Sequence, residues 1–215
     1  MASPDGMPRA IAKRLPLYHQ SLAKLRKQGK CTVSSKELSK EVGVEATMIR
    51  KDMAFFGELG KRGVGYNVEL LYRTIGRKLN LDQHWETVIV GVGKMAAALV
   101  EFNCLYGRNF RIVAAFNPEP ALQNHTMVEH LPVQPLSFLP SFAKDNDIKI
   151  AILATTAAQA QMSANTIVQA NIRSILNFSP VEICVPEDLK VINDIITTEM
   201  QILACYLDGM KNNQK

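Results

Sequence analysis

The chain has 215 residues, a formal net charge of +5, 47% hydrophobic residues and 21% charged ones. That is ordinary globular composition, sufficient for a core in one large domain or two small ones. No apolar run reaches the roughly 18 residues of a membrane-spanning helix, and the opening MASPDGMPRAIAKR lacks an apolar secretory stretch, so a cytoplasmic protein is expected.

Cys31, Cys104, Cys184 and Cys205 are scattered without a CxxC pair and are expected to be reduced thiols. His19, His84, His125 and His130 show no zinc-ligand spacing, so no metal is expected, and His125 and His130 fall in a surface loop. Charge is uneven along the chain. Most Lys and Arg residues lie between Pro8 and Lys78, while the remainder is slightly acidic. A basic first third suggests a polyanion-binding module, although a solvated basic face would give the same composition.

Residues 1–7 are expected to lack order. Ile11, Leu15, Leu22 and Leu25 then recur at helical spacing through Lys27, with Pro16 marking a kink or a start. Ser34 and Glu37 form a capping box that opens a short helix, and Gly43 closes it. A second helix runs from about Glu45 to Phe55. Two short helices joined by a glycine turn make a helix-turn-helix. The second presents Arg50 and Lys51, with Asp52 behind them, as suits a helix entering the major groove. Gly57, Gly60, Gly63 and Gly65 exclude a stable helix and suit a hairpin, or wing, with Lys61 and Arg62 near its tip.

Val68 to Leu79 reads as a linker helix. Beyond Trp85, apolar strands at Thr87–Val90, Arg111–Phe116, Ile148–Ala154 and Ile172–Phe178 alternate with helices such as Ala96–Leu105 and Ala157–Ala170. This alternation predicts parallel βαβ units. The fold class expected is an α/β Rossmann-type parallel-sheet domain preceded by an all-α or winged-helix DNA-binding domain. The domains expected are 1–82, 83–196, and a C-terminal dimerisation helix in 197–215, built on the apolar stretch Thr197 to Met210.

Gly91-Val92-Gly93-Lys94-Met95-Ala96 follows a strand and opens a helix. This is a G-x-G-x-x-A form of the dinucleotide fingerprint: Gly91 for the turn, Gly93 for backbone approach to a pyrophosphate, and the helix N-terminus for its charge. A glycine-rich turn without a ligand is the competing reading. At the end of the next strand, where an acid ordinarily accepts the ribose hydroxyls, stands Asn117, followed by Pro118. A neutral amide there weakens selectivity for NAD.

The segments Ala12–Tyr18, Val33–Leu38, Ile49–Asp52, Phe56–Val68, Val90–Gly93 and Ile175–Pro180 together resemble the Rex family of redox-sensing transcriptional repressors along nearly the whole chain. The resemblance implies a homodimer whose winged helices bind a palindromic operator in duplex DNA. It also implies Rossmann domains that bind NAD(H), a C-terminal helix swapped onto the partner, and release of DNA on NADH binding. It carries recognition and wing roles to Thr47, Arg50, Lys51, Lys61 and Arg62, and the matched segments add Lys13, Arg14 and Ser35 as DNA-binding candidates. Cofactor candidates are Gly91, Val92, Gly93, Lys94, Met95, Ala96, Asn117, Pro118, Thr155 and Asn177.

The chain departs from the family at Ala96 (a glycine in the family), Asn117 (an Asp), Phe102 (a Tyr) and Ile195 (an Asp, with Asp194 adjacent). In the family that Tyr and Asp couple nicotinamide state to DNA binding. A weakened NADH response is therefore expected. The alternatives are a Rex-like DNA-binding protein whose Rossmann domain is structural or takes another nucleotide, and a nicotinamide-dependent dehydrogenase. The dehydrogenase lacks a proton donor at a suitable strand end, so no catalytic residue and no enzyme activity are expected.

Overall fold

The computed structural model describes residues 7–57, 59–61, 63–106, 109–119 and 127–194, together with 198, 200, 201, 203 and 204. Contacts divide the chain into two units between Gln83 and His84.

The first unit opens with α1 (Arg9–Lys27). Ile11, Leu15, Tyr18, Leu22 and Leu25 recur every three or four residues and are all buried. Pro16 lies inside this helix on its exposed side. It removes one ladder hydrogen bond, yet the helix continues because apolar residues on both sides of it enter the same core. Next come β1 (Thr32–Val33), α2 (Ser35–Val42) and α3 (Ala46–Ala54). The expected capping box is present: Glu37 N–H donates to Ser34 Oγ at 3.1 Å and Ser34 N–H donates to Glu37 Oε2 at 2.8 Å.

Strands β2 (Gly60–Lys61) and β3 (Gly65–Asn67) pair antiparallel as the wing, and β1 adds to the other edge of β3. At Gly65 the backbone has φ 95°, and a Cβ there would stand 2.6 Å from the Val33 carbonyl oxygen. The approach of β3 to β1 therefore requires glycine. Helix α4 (Val68–Lys78) is capped by Asn67, whose side chain accepts from Leu70 N–H. It is more than the linker expected, because Val68, Leu71 and Ile75 are buried in the same core as the α1 stripe.

The second unit is a seven-stranded sheet in the order β10-β9-β8-β4-β5-β7-β6, among the described residues. Its strands are β4 (Trp85–Val90), β5 (Phe110–Asn117), β6 (Met127–Val128), β7 (Leu131–Pro135), β8 (Ile150–Leu153), β9 (Ser174–Asn177) and β10 (Lys190–Asn193). All pairings are parallel except that of β6 with β7. Read from β4, the order β7-β5-β4-β8-β9-β10 is the 3-2-1-4-5-6 of a dinucleotide-binding Rossmann sheet.

Strand β4 is buried on both faces, as central parallel strands are. Val88 and Val90 face one core, with Ala160, Ala164 and Ile167 of α7 (Ala157–Gln169) and residues of α6 (Leu139–Asp145). Ile89 faces the other, with Ala96 and Val100 of α5 (Lys94–Tyr106). The sequence reading lacked β7 and β10. Strand β7 carries Pro132 and Pro135, which speak against a strand, but it lies next to the sheet edge and only the short hairpin strand β6 lies beyond it. Strand β10 is a half-exposed edge strand without a strong apolar pattern. Consequently Ile172–Phe178 contains the last strand but one.

Candidate nucleic-acid interface and nucleotide cleft

Helix α3 buries Ile49 and Met53 in the core and leaves Thr47, Arg50 and Lys51 exposed. The Arg50 guanidinium donates to Ser35 Oγ at 3.1 Å, which ties the exposed face of α3 to the start of α2. Arg50 also reaches the wing electrostatically: burial pushes the Tyr66 phenol up from its ordinary value, and the positive charge of Arg50 pulls it down. Lys61 belongs to β2, and Arg62 lies outside the described residues. Lys13 is exposed on α1.

Arg14 departs from the expectation. Its Nε and Nη2 both donate to the carboxylate of Asp52, each at 2.7 Å. Asp52 is only 2% exposed and also accepts from the Tyr18 hydroxyl at 2.6 Å. Hydrogen bonding to Asp52 raises the Arg14 guanidinium above its ordinary value, and burial followed by the same carboxylate raises the Tyr18 phenol. A bidentate pair of this kind fixes geometry as well as charge. Arg14 therefore clamps α3 to α1 and is committed within the protein. Asp52 does not stand behind the basic face as a solvated charge; it is the buried anchor of that face.

The second site begins where β4 ends. Gly91 has φ 124°, and a Cβ there would lie 2.2 Å from the Ala154 carbonyl oxygen. Its N–H donates to the Phe116 carbonyl at 2.8 Å, so the turn is pinned between β5 and β8. Gly93 differs: nothing lies within 4 Å of where its Cβ would stand. Helix α5 starts at Lys94, with Ala97 N–H donating to the Gly93 carbonyl. By helix geometry the amides of Lys94, Met95 and Ala96 have no intrahelical acceptor. Ala96 itself is fully buried against the sheet, so its methyl fills the place where a third glycine would allow closer packing.

A cleft of about 460 Å³ opens over this turn, at the C-terminal ends of β4, β5 and β8. This is the switch point of the strand order, where open α/β sheets take ligands. Gly91, Val92, Gly93, Lys94, Met95, Asn117 and Thr155 line it as expected. Glu119, Thr156 and Gln159 line it as well, and the sequence reading missed them. Thr156 and Gln159 follow β8 and open α7, and that position after a parallel strand was the available signal. The cleft fits a dinucleotide: the space beside Gly93 is one that a Cβ would fill, and α5 begins at the next residue, where a helix N-terminus favours phosphate.

Asn177 and Pro118 depart from the expectation. Asn177 is fully buried; its Nδ2 donates to the Val181 carbonyl and to Asn193 Oδ1, and its Oδ1 accepts from Ser179 N–H. Its amide thus holds the ends of β9 and β10 together and lies off the cleft. Pro118 also lies off the lining. Thr155 bonds Ser179 Oγ through both N–H and hydroxyl, so its place on the cleft wall is fixed from behind.

Residues 6–54 match the model of a putative DNA-binding protein N-terminus, and residues 82–181 match a CoA binding domain. The redox-sensing transcriptional repressor Rex of Listeria welshimeri is 37% identical over 203 residues, covering 94% of each chain. That of Limosilactobacillus fermentum is 40% identical over 205 residues, covering 95% of this chain and 94% of its own. This chain belongs to the Rex family of redox-sensing transcriptional repressors. RSP, a Rex-family repressor solved with NAD+ and operator DNA, superposes with a TM-score of 0.86 at 31% identity, covering 97% of this chain and 95% of its own. Its NADH complex gives 0.81 at 30% identity, covering 97% of both. Rex proteins are repressors and not enzymes, which disposes of the dehydrogenase alternative.

Among the described residues no helix is long and apolar enough to cross a membrane, and no group of three or more metal-ligating side chains is present. His130 is exposed, at 3.8 Å from Cys104 Sγ, and His125 lies outside the described residues.

Proposed function

We propose that this Rex-family chain binds a palindromic operator as a homodimer, through Thr47, Arg50 and Lys51 of α3 and through the wing. We infer that it takes NAD(H) in the Gly91–Gly93 cleft, works in the cytoplasm, and has a weakened response to NADH. The observation that carries the DNA reading is the exposed Arg50–Lys51 face of α3, held by a partly buried ion pair between Arg14 and Asp52. A helix so presented suits the major groove, where Arg makes bidentate contact with guanine. Support for NAD(H) comes from the open backbone at Gly93 and from RSP, which was solved with both NAD+ and NADH.

The homodimer reading rests on exposed apolar side chains of the second unit. Phe102 is 60% exposed, Leu105 67%, Met200 65% and Leu203 62%. Covering such side chains with a second copy of the chain would remove their apolar surface from water. Of the C-terminal segment 197–215, residues 198, 200, 201, 203 and 204 are helical and exposed, and the others lie outside the described residues.

The weakened switch rests on chemistry at the coupling positions. A ligand shifts a two-state equilibrium only by its differential affinity for the two states. Phe102 has no hydroxyl with which to change partners, and Ile195, which lies outside the described residues, has an apolar side chain. The test is operator affinity of the full chain with saturating NAD+ and with saturating NADH. The expected loss with NADH is less than roughly a hundredfold, about 2.7 kcal/mol of coupling. A larger loss overturns the weakened switch, and no preference for any palindrome overturns the DNA reading. Arg50→Ala should weaken operator binding by about 1–3 kcal/mol and relax its specificity.

A further inference from the structure

We propose that Glu119, and not Asn117, is the residue of this chain that reads the ribose of the dinucleotide, and that it selects NAD(H) over NADP(H). The proposal rests on the nucleotide reading above and names the group that sets its specificity.

In a sheet of this order the adenosine ribose lies over the C-terminal end of the strand after the glycine turn, and a carboxylate there accepts its hydroxyls. That strand is β5, which ends at Asn117. Asn117 is 3% exposed, and its Nδ2 donates to the backbone carbonyl of Glu119 at 3.4 Å. The amide is thus engaged in holding the turn that follows the strand. Two residues on, Glu119 is exposed and stands on the same cleft wall as Asn117 and Gly91. The displacement moves the acid from the last strand residue to the turn that this residue supports.

The chemistry follows from what each side chain offers. A carboxylate accepts through two oxygens and takes both hydroxyls of a ribose, with charge-assisted bonds. A 2′-phosphate at the same place meets a like charge. Lys94, the cation of the cleft among the described lining residues, opens α5 at the pyrophosphate end of the site and suits the phosphates common to both nucleotides. The neutral Asn117 therefore does not by itself abolish the preference for NAD(H).

The experiment titrates the full-length wild-type chain and Glu119→Gln with NADH and with NADPH, following ligand fluorescence. Wild type should prefer NADH. Glu119→Gln should lose roughly tenfold or more in NADH affinity, the loss expected when a charge-assisted bond becomes neutral. Its NADPH affinity should hold or rise, so the preference collapses. Glu119 is exposed, so the substitution leaves the core alone, and an unchanged thermal melt confirms this. An intact preference in Glu119→Gln overturns the assignment and leaves the nucleotide reading standing. A wild-type chain that binds neither nucleotide overturns the nucleotide reading, and the assignment with it.

Discussion

On α3 the groups turned outward are side chains, Thr47, Arg50 and Lys51, and what holds them in place is a buried ion pair on the opposite side of the helix. At the end of β4 the cleft is lined by the glycine turn itself, so residues that face it also make the turn. The first arrangement separates contact from support: exposed residues change affinity, and buried ones change the fold. The second joins them at Gly91 and separates them only at Gly93. A substitution therefore tests different things in the two regions.

The largest effect is expected at Asp52. Asp52→Ala removes the acceptor of Arg14 and Tyr18 and leaves a half-buried guanidinium without its carboxylate. Breaking a buried pair costs about 3–5 kcal/mol, and the partial exposure of Arg14 places the cost near the lower figure. Hydrogen exchange on the full chain should show early opening of α1 and α3, with operator binding lost and nucleotide binding kept. Unchanged protection in α3 would mean that the pair does not hold the recognition face.

Next in size is the pair of glycines. Gly91→Ala forces a methyl into the Ala154 carbonyl at a φ that side chains rarely adopt, a strain of about 1–3 kcal/mol or more. It should lower the melting temperature of the second unit and weaken nucleotide binding together. Gly93→Ala meets no atom within 4 Å. It should leave the melt nearly unchanged and still cost nucleotide affinity on the order of tenfold, by excluding the pyrophosphate. Wild-type affinity in Gly93→Ala would refute the backbone contact.

The same contrast explains what was legible beforehand. The helix pair, its capping box, the wing and the glycine turn were readable because each depends on residues close together in sequence. The strand order was implied by alternation but not fixed by it, since β7 and β10 acquire their pairing only from β5 and β9. Arg14 and Asn177 have partners within the protein that their sequence positions do not reveal. A charged or polar side chain in a matched segment looks the same in sequence whether it faces a ligand or a protein partner, and Asp52 and Asn193 are too far along the chain to be paired with Arg14 and Asn177 by inspection. Glu119 is not marked by the fingerprint spacing, which falls on Asn117 two residues earlier.

The smallest effect concerns how α2 is presented beside α3. Ser34→Ala removes the acceptor of the Glu37 amide and should cost about 1 kcal/mol, the usual worth of an N-cap. Glu37, the other half of the box, is held down to about 2 from 4.5, first by Lys30 Nζ at 2.7 Å and then by the Ser34 N–H. A folded value below the unfolded one means that the carboxylate stabilises α2 above about pH 4.5 and ceases to do so as pH falls toward 2. Glu37 is exposed, so salt should screen the Lys30 part of this effect and leave the Ser34 part. The protection factors of the α2 amides, which remove the intrinsic pH dependence of exchange, should therefore fall between these pH values in wild type and change less in Glu37→Gln, with the difference smaller at high salt. The operator-binding face should feel it only weakly, because Arg50 reaches α2 through the single bond to Ser35, the first residue of that helix. If Glu37→Gln abolished operator binding at neutral pH, the capping box would belong with the buried ion pair as a support of the recognition helix.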